Sequence, residues 1–173
     1  MRRPLHCPEG QVKKPLSVLP KEQRLRLIPP EQLLYPAGMH DATVTLIGQY
    51  YAAFNAGDSA GMLALLTDDV RHDVNEGATQ VGAQAFAAFL TRMDVHYRER
   101  AEELVVMSTP DGTRASAEFV IHGEYLRTDE GLPEARGQRY VLPVGAFFEV
   151  RGGRIARVTN YYNLADWTRQ VSH

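Results

Sequence analysis

The sequence predicts an α+β fold in which a curved antiparallel sheet wraps around three N-terminal helices. Three observations predict it. Helical apolar periodicity fills residues 40 to 66 and 83 to 97. Strand-like segments then follow one another from residue 100 to residue 163. The joints between those strands are short turns. A curved sheet packed on helices leaves a conical cavity. No internal repeat or glycine-rich phosphate loop competes with this reading.

The first helix rests on Val44, Ile47, Tyr51 and Phe54, a helical stripe that Leu46, Tyr50 and Ala53 widen. Gly57 can take the left-handed conformation that closes a helix. Asp58 can cap the next one, whose apolar side is Met62, Leu65 and Leu66. Asp68-Asp69 ends it. Val70, His72 and Val74 then alternate with Arg71, Asp73 and Asn75, which predicts a strand over residues 70 to 76 with Asp73 and Asn75 on one face and His72 on the other. Residues 77 to 82 read as a turn or short hairpin. Phe86, Phe89, Leu90 and Met93 give the third helix its apolar face.

Strands are expected over residues 100 to 108, 114 to 127, 138 to 150 and 154 to 163. Pro110-Asp111-Gly112 and Arg151-Gly152-Gly153 supply tight turns between them. On the second of these strands, Phe119, Ile121 and Tyr125 share a side with Ala115, Ala117 and Gly123, and His122 and Glu124 take the other. A closing helix is expected over residues 164 to 171, with Asn163 or Asp166 near its start.

With 173 residues the chain reads as one domain, and a hydrophobic fraction of 44% is ample for its core. The net charge of −2 provides no field that would draw nucleic acid or an anionic membrane. Cys7 is the only cysteine, which rules out an internal disulfide and fits a cytoplasmic location. No apolar run spans a bilayer, and none follows Arg2-Arg3 as a secretory signal requires. Residues 1 to 38 hold seven of the ten prolines, a density that breaks helices and central strands. Two readings stay open for them: a disordered or loosely attached arm on a domain of residues 39 to 173, or an extension upstream of a start at Met39.

The histidines show no metal-ligand spacing, so neither a metal nor a cofactor is expected. No serine or cysteine stands out as a nucleophile. Asp73 is the acid with the clearest chemical promise, because burial in an apolar pocket would raise its pKa and suit it to proton abstraction beside a carbonyl. Asn75 would orient a substrate or hold Asp73. Val158, Asn160 and Tyr162 share one face of the last strand, and Asn160 among apolar neighbours points to a ligand or a specific partner.

At Tyr50-Tyr51-Ala52-Ala53-Phe54-Asn55-Ala56-Gly57-Asp58, Leu65-Leu66-Thr67-Asp68-Asp69-Val70 and His72-Asp73, the sequence resembles the nuclear transport factor 2-like superfamily. It resembles in particular the ketosteroid isomerase-related, SnoaL-like branch. Gly145-Ala146-Phe147-Phe148-Glu149-Val150, Gly152-Gly153-Arg154-Ile155 and Asn160-Tyr161-Tyr162 continue the likeness. It implies a cone-shaped domain that binds a small, largely apolar ligand and dimerises through the outer sheet face. It also implies cofactor-free proton transfer of the isomerase type, or ligand binding without catalysis, since this fold hosts both.

The resemblance further implies an oxyanion donor at Tyr50, although the helical stripe alone makes Tyr51 the core residue of the pair. It implies a base on the first strand, where an ungapped match gives Val74 and a one-residue gap gives Asp73; a His-Asp pair, common at that place in SnoaL-like sequences, favours Asp73. Phe119, Ile121, Val158, Asn160 and Tyr162 would line the cavity. The second acid of a ketosteroid isomerase oxyanion hole is replaced by Gly145, which has no side-chain donor.

Overall fold

The computed structural model describes residues 38–75 and 77–172. Apart from Gly38, the proline-rich segment 1–38 lies outside the described residues. Helix α1 (Met39–Ala56) buries Thr43, Leu46, Ile47, Tyr50 and Tyr51, so the predicted stripe and its widening edge both face inward. Gly57 closes α1 at φ 66°, a left-handed conformation that a Cβ would strain. Asp58 Oδ1 accepts the Gly61 N–H at 2.8 Å and caps the short α2 (Ser59–Ala64).

The strands are β1 (Leu66–Asp73), β2 (Thr79–Val81), β3 (Tyr97–Ser108), β4 (Arg114–Tyr125), β5 (Gln138–Arg151) and β6 (Arg154–Tyr162). Helix α3 (Ala83–His96) lies between β2 and β3, and α4 (Leu164–Val171) follows β6. The sheet is one open, curved layer in the order β2-β1-β6-β5-β4-β3. The fold is therefore α+β with a single six-stranded sheet, as the element order predicts.

Several boundaries differ from the sequence reading, β3 for example opening at Tyr97 rather than residue 100, and two differences bear on the site. First, β1 opens at Leu66 rather than Val70 and ends at Asp73. Leu66 pairs with Ile155, both are buried, and a register shift between Leu66 and Arg71 hides the early start from any period-2 count. Second, the sheet is not wholly antiparallel. β1 runs parallel to β6, with His72 opposite Val158 and Asp73 opposite Thr159. The remaining pairs are antiparallel.

Cavity-facing residues alternate along each long strand. On β4 the buried set includes Phe119, Ile121 and Tyr125, and on β5 it is Tyr140, Leu142, Val144, Ala146 and Phe148. Two side-chain clamps hold helices to this sheet. Asn55 donates to the Ala101 carbonyl and accepts its N–H, both at 2.8 Å, pinning the end of α1 to β3. Gln170 makes the same two-way pairing with the Val141 backbone at 2.9 Å, fixing α4 against β5. Asn163 caps α4 by accepting the Asp166 N–H at 3.0 Å.

Candidate functional site

The inner face of the sheet, α1 and α3 enclose a cavity of about 760 Å³. Its wall is mainly apolar and aromatic, with a few polar groups set into it, the usual make-up of a small-molecule site. Tyr50 and Tyr51 both line it. The two rings meet edge to face at 5.4 Å, and each also packs against Phe148. Tyr51 lies 4.7 Å from Phe119. Among the described residues neither hydroxyl has a hydrogen-bond partner. Burial pushes both phenols well above their ordinary range, so both remain hydroxyl donors at neutral pH.

Of the other predicted site residues, Phe119, Ile121, Asn75, Asn160 and Tyr162 line the same cavity. Asn75 Nδ2 donates to the Tyr162 carbonyl at 3.1 Å, tying the end of β1 to the end of β6. Val158 is buried in the core behind the wall and does not line the cavity.

Asp73 is not among the cavity-lining residues, because β1 turns Val70, His72 and Val74 inward and Asp73 outward. The chain bends at Asn75, just past the strand end, which separates it from the Asp73 face. The Asp73 carboxylate accepts from Arg71 Nε at 2.7 Å, Thr79 Oγ1 at 2.8 Å and Thr159 Oγ1 at 2.8 Å. Burial alone would raise its pKa, but hydrogen bonds from Arg71, Thr159 and Thr79 outweigh it and hold the carboxyl below the ordinary range. The raised pKa expected of a base is replaced by its opposite, and the residue that does face inward is its neighbour His72.

His72 is 1% exposed and lies against Phe86 and Phe89, with ring centroids 4.7 Å and 4.4 Å away. Among the described residues its Nδ1 has no hydrogen-bond partner. Burial lowers its pKa to about 4, against the opposing pull of Asp73 and Gln80, so the ring is neutral at pH 7.

The model of the SnoaL-like domain matches residues 47–158. The chain belongs to the SnoaL-like family. A candidate polyketide cyclase from Xanthomonas campestris pv. campestris is 54% identical, with a TM-score of 0.76 over 78% of this chain and 99% of its own. One from Pseudomonas putida is 59% identical, with a TM-score of 0.74 over 75% of this chain and 97% of its own. An LEH-like epoxide hydrolase from M. tuberculosis is 17% identical, with a TM-score of 0.59 over 76% of this chain and 90% of its own, and shares the fold alone. The comparison with curated proteins gave no match.

Within this SnoaL-like chain the ketosteroid isomerase match is incomplete for a second reason. Gly145 sits on the outer face of β5, in a shallow groove with Met107 and Phe147. A side chain at that position would leave the cavity untouched. The sequence reading also passed over an acid that does line the cavity, Glu99 on β3. The Tyr140 hydroxyl donates to Glu99 Oε1 at 2.6 Å. Burial raises the Glu99 carboxyl, with the Tyr140 hydrogen bond opposing, and burial together with the Glu99 charge raises the Tyr140 phenol. The available signal was Glu99's position in the run Arg98-Glu99-Arg100-Ala101-Glu102. Among so many charges, one inward-facing acid looks like part of a solvated strand.

Proposed function

We propose that this protein binds a small, largely apolar ligand bearing a carbonyl group, and rearranges it by cofactor-free proton transfer as an isomerase or cyclase. The observation that carries this reading is a mainly apolar cavity holding two tyrosine hydroxyls that no group among the described residues engages. The names of the two similar proteins described as candidate polyketide cyclases support the class.

The chemistry begins with loss of a proton from the carbon beside the carbonyl. The electron pair moves to the oxygen, giving an enolate. Where a β,γ double bond of the ligand extends the enolate to a dienolate, return of the proton at the γ-carbon completes an isomerisation. Attack of the enolate carbon on a second carbonyl of the same molecule, followed by proton return to the new alkoxide, completes a cyclisation. Both routes need a donor for the developing oxyanion, and Tyr50 fills that role with Tyr51 packed beside it. Asn75 and Asn160 orient the ligand, while Phe119, Ile121 and Tyr162 cover its apolar part.

The test is deuterium exchange followed by NMR over a panel of cyclic and linear ketones. Wild type should exchange protons beside the carbonyl, and Tyr50→Phe should do so about 100-fold more slowly while still binding. Binding without turnover is the second reading. It is favoured by the fact that neither Asp73 nor Gly145 presents a carboxylate to the cavity. It predicts saturable binding of the same ketones with no exchange from any of them.

The reading places the protein in the cytoplasm as a homodimer formed through the outer sheet face. Val105, Met107, Phe147 and Tyr161 are exposed apolar side chains, and the Phe147 and Tyr161 rings pack edge to face at 5.8 Å.

A further inference from the structure

Glu99 is a half-buried acid that pairs with no cation among the described residues, and a chain does not keep such a group in an apolar wall without cost. Its surroundings are built for it across three strands. Glu99 on β3 stands opposite Gly123 on β4, and Gly123 stands opposite Tyr140 on β5. A Cβ at Gly123 would come within 2.2 Å of the Tyr140 ring. The missing side chain is the space in which that ring lies, and across it the hydroxyl reaches Glu99. Trp167 packs on the ring at 6.0 Å and keeps it in place. Among the described residues the carboxyl therefore has one fixed donor and no countercharge, and it opens on the cavity that also receives Tyr50 and Tyr51.

We propose that Glu99 is the acid–base group of this cavity and Tyr140 its positioning residue. This rests on the proton-transfer reading above. The Glu99 carboxylate takes the proton from the carbon beside the ligand carbonyl as the C–H bond breaks. The electron pair passes to the carbonyl oxygen, which a tyrosine hydroxyl engages. The resulting carboxylic acid returns the proton to carbon in an isomerisation, or to the alkoxide oxygen in a cyclisation. The Tyr140 hydrogen bond holds one carboxyl oxygen and leaves the other for the substrate. Burial, with no cation paired to it among the described residues, raises the carboxyl above the ordinary carboxylate range, the direction that favours acid–base work.

The test uses the same ketone panel with four proteins: wild type, Glu99→Gln, Asp73→Asn and Tyr140→Phe. Glu99→Gln keeps the size of the side chain and an acceptor for Tyr140, so it should fold and bind. Its exchange rate should fall about a thousandfold. Asp73→Asn should exchange at close to the wild-type rate. Tyr140→Phe removes a hydrogen bond that favours the carboxylate, so the acidic limb of its pH–rate profile should move to higher pH. The Glu99 carboxyl resonance should move with it, a shift that a purely structural Tyr140 would not produce. Undiminished exchange by Glu99→Gln, or a pH profile unchanged in Tyr140→Phe, would overturn the Glu99 assignment alone. Exchange by none of the four, wild type included, would overturn the proton-transfer reading and this assignment with it.

Discussion

His72 gives the molecule a measurable dependence on pH. Its ring stays neutral when folded because burial lowers its pKa to about 4, whereas an unfolded chain binds that proton at an ordinary histidine pKa near 6.5. Between those values the unfolded state holds more protons, so stability falls as pH drops from about 6.5 to about 4 and is unaffected above that window. The loss assigned to this residue is at most about 3 kcal/mol. His72→Phe should remove it, and urea unfolding of both proteins at pH 7 and pH 4.5 measures the difference. This residue also shows the limit of the sequence. Alternation along β1 was legible, and it correctly set His72 and Asp73 on opposite faces. Which face looks into the cavity was not, because a shift of one residue exchanges the two sets and nothing local decides between them. The hydrogen bond from Thr159 that claims Asp73 comes from the far end of the chain.

Among the elements, β4 carries the constraint that shapes the site. Gly123→Ala should destabilise the protein by about 1–3 kcal/mol, because the new methyl group overlaps the Tyr140 ring in a packed wall. Gly123 has no positive φ, so the effect comes from the collision and not from the backbone. A denaturation midpoint equal to that of wild type would contradict this account. Much of the helices was legible: the α1 stripe, its glycine stop and the Asp58 cap stand where periodicity and capping chemistry put them, and of Asn163 and Asp166, left open at the start of α4, Asn163 is the cap. The partnership of Glu99, Gly123 and Tyr140 was not. Each comes from a different strand, and only the cross-strand register brings them into one row. The sequence did place Gly123 on the inward side of β4, but it gave no sign of the ring that lies over it.

At the scale of the whole molecule, the outer sheet face is the feature with the largest expected consequence. Phe147 is 47% exposed and Tyr161 58%, next to an open groove at Gly145 and Met107. Adjacent exposed apolar side chains of this kind mark association surfaces. Wild type should sediment as a dimer, and Phe147→Glu should shift it to a monomer with an intact fold by circular dichroism. A wild-type monomer at all concentrations would remove the dimer from the proposal. The parallel pairing of β1 with β6 has a different kind of consequence, one of timing. Asp73 and Thr159 are 86 residues apart, so the loop between them must close before their contact contributes anything. During synthesis β1 is made early, yet it cannot take its place in the sheet until β6 has left the ribosome. The antiparallel strands between them can form first, so the wall that carries His72 and Asn75 is the last part of the cavity to assemble, and the pocket exists only once almost the whole chain does.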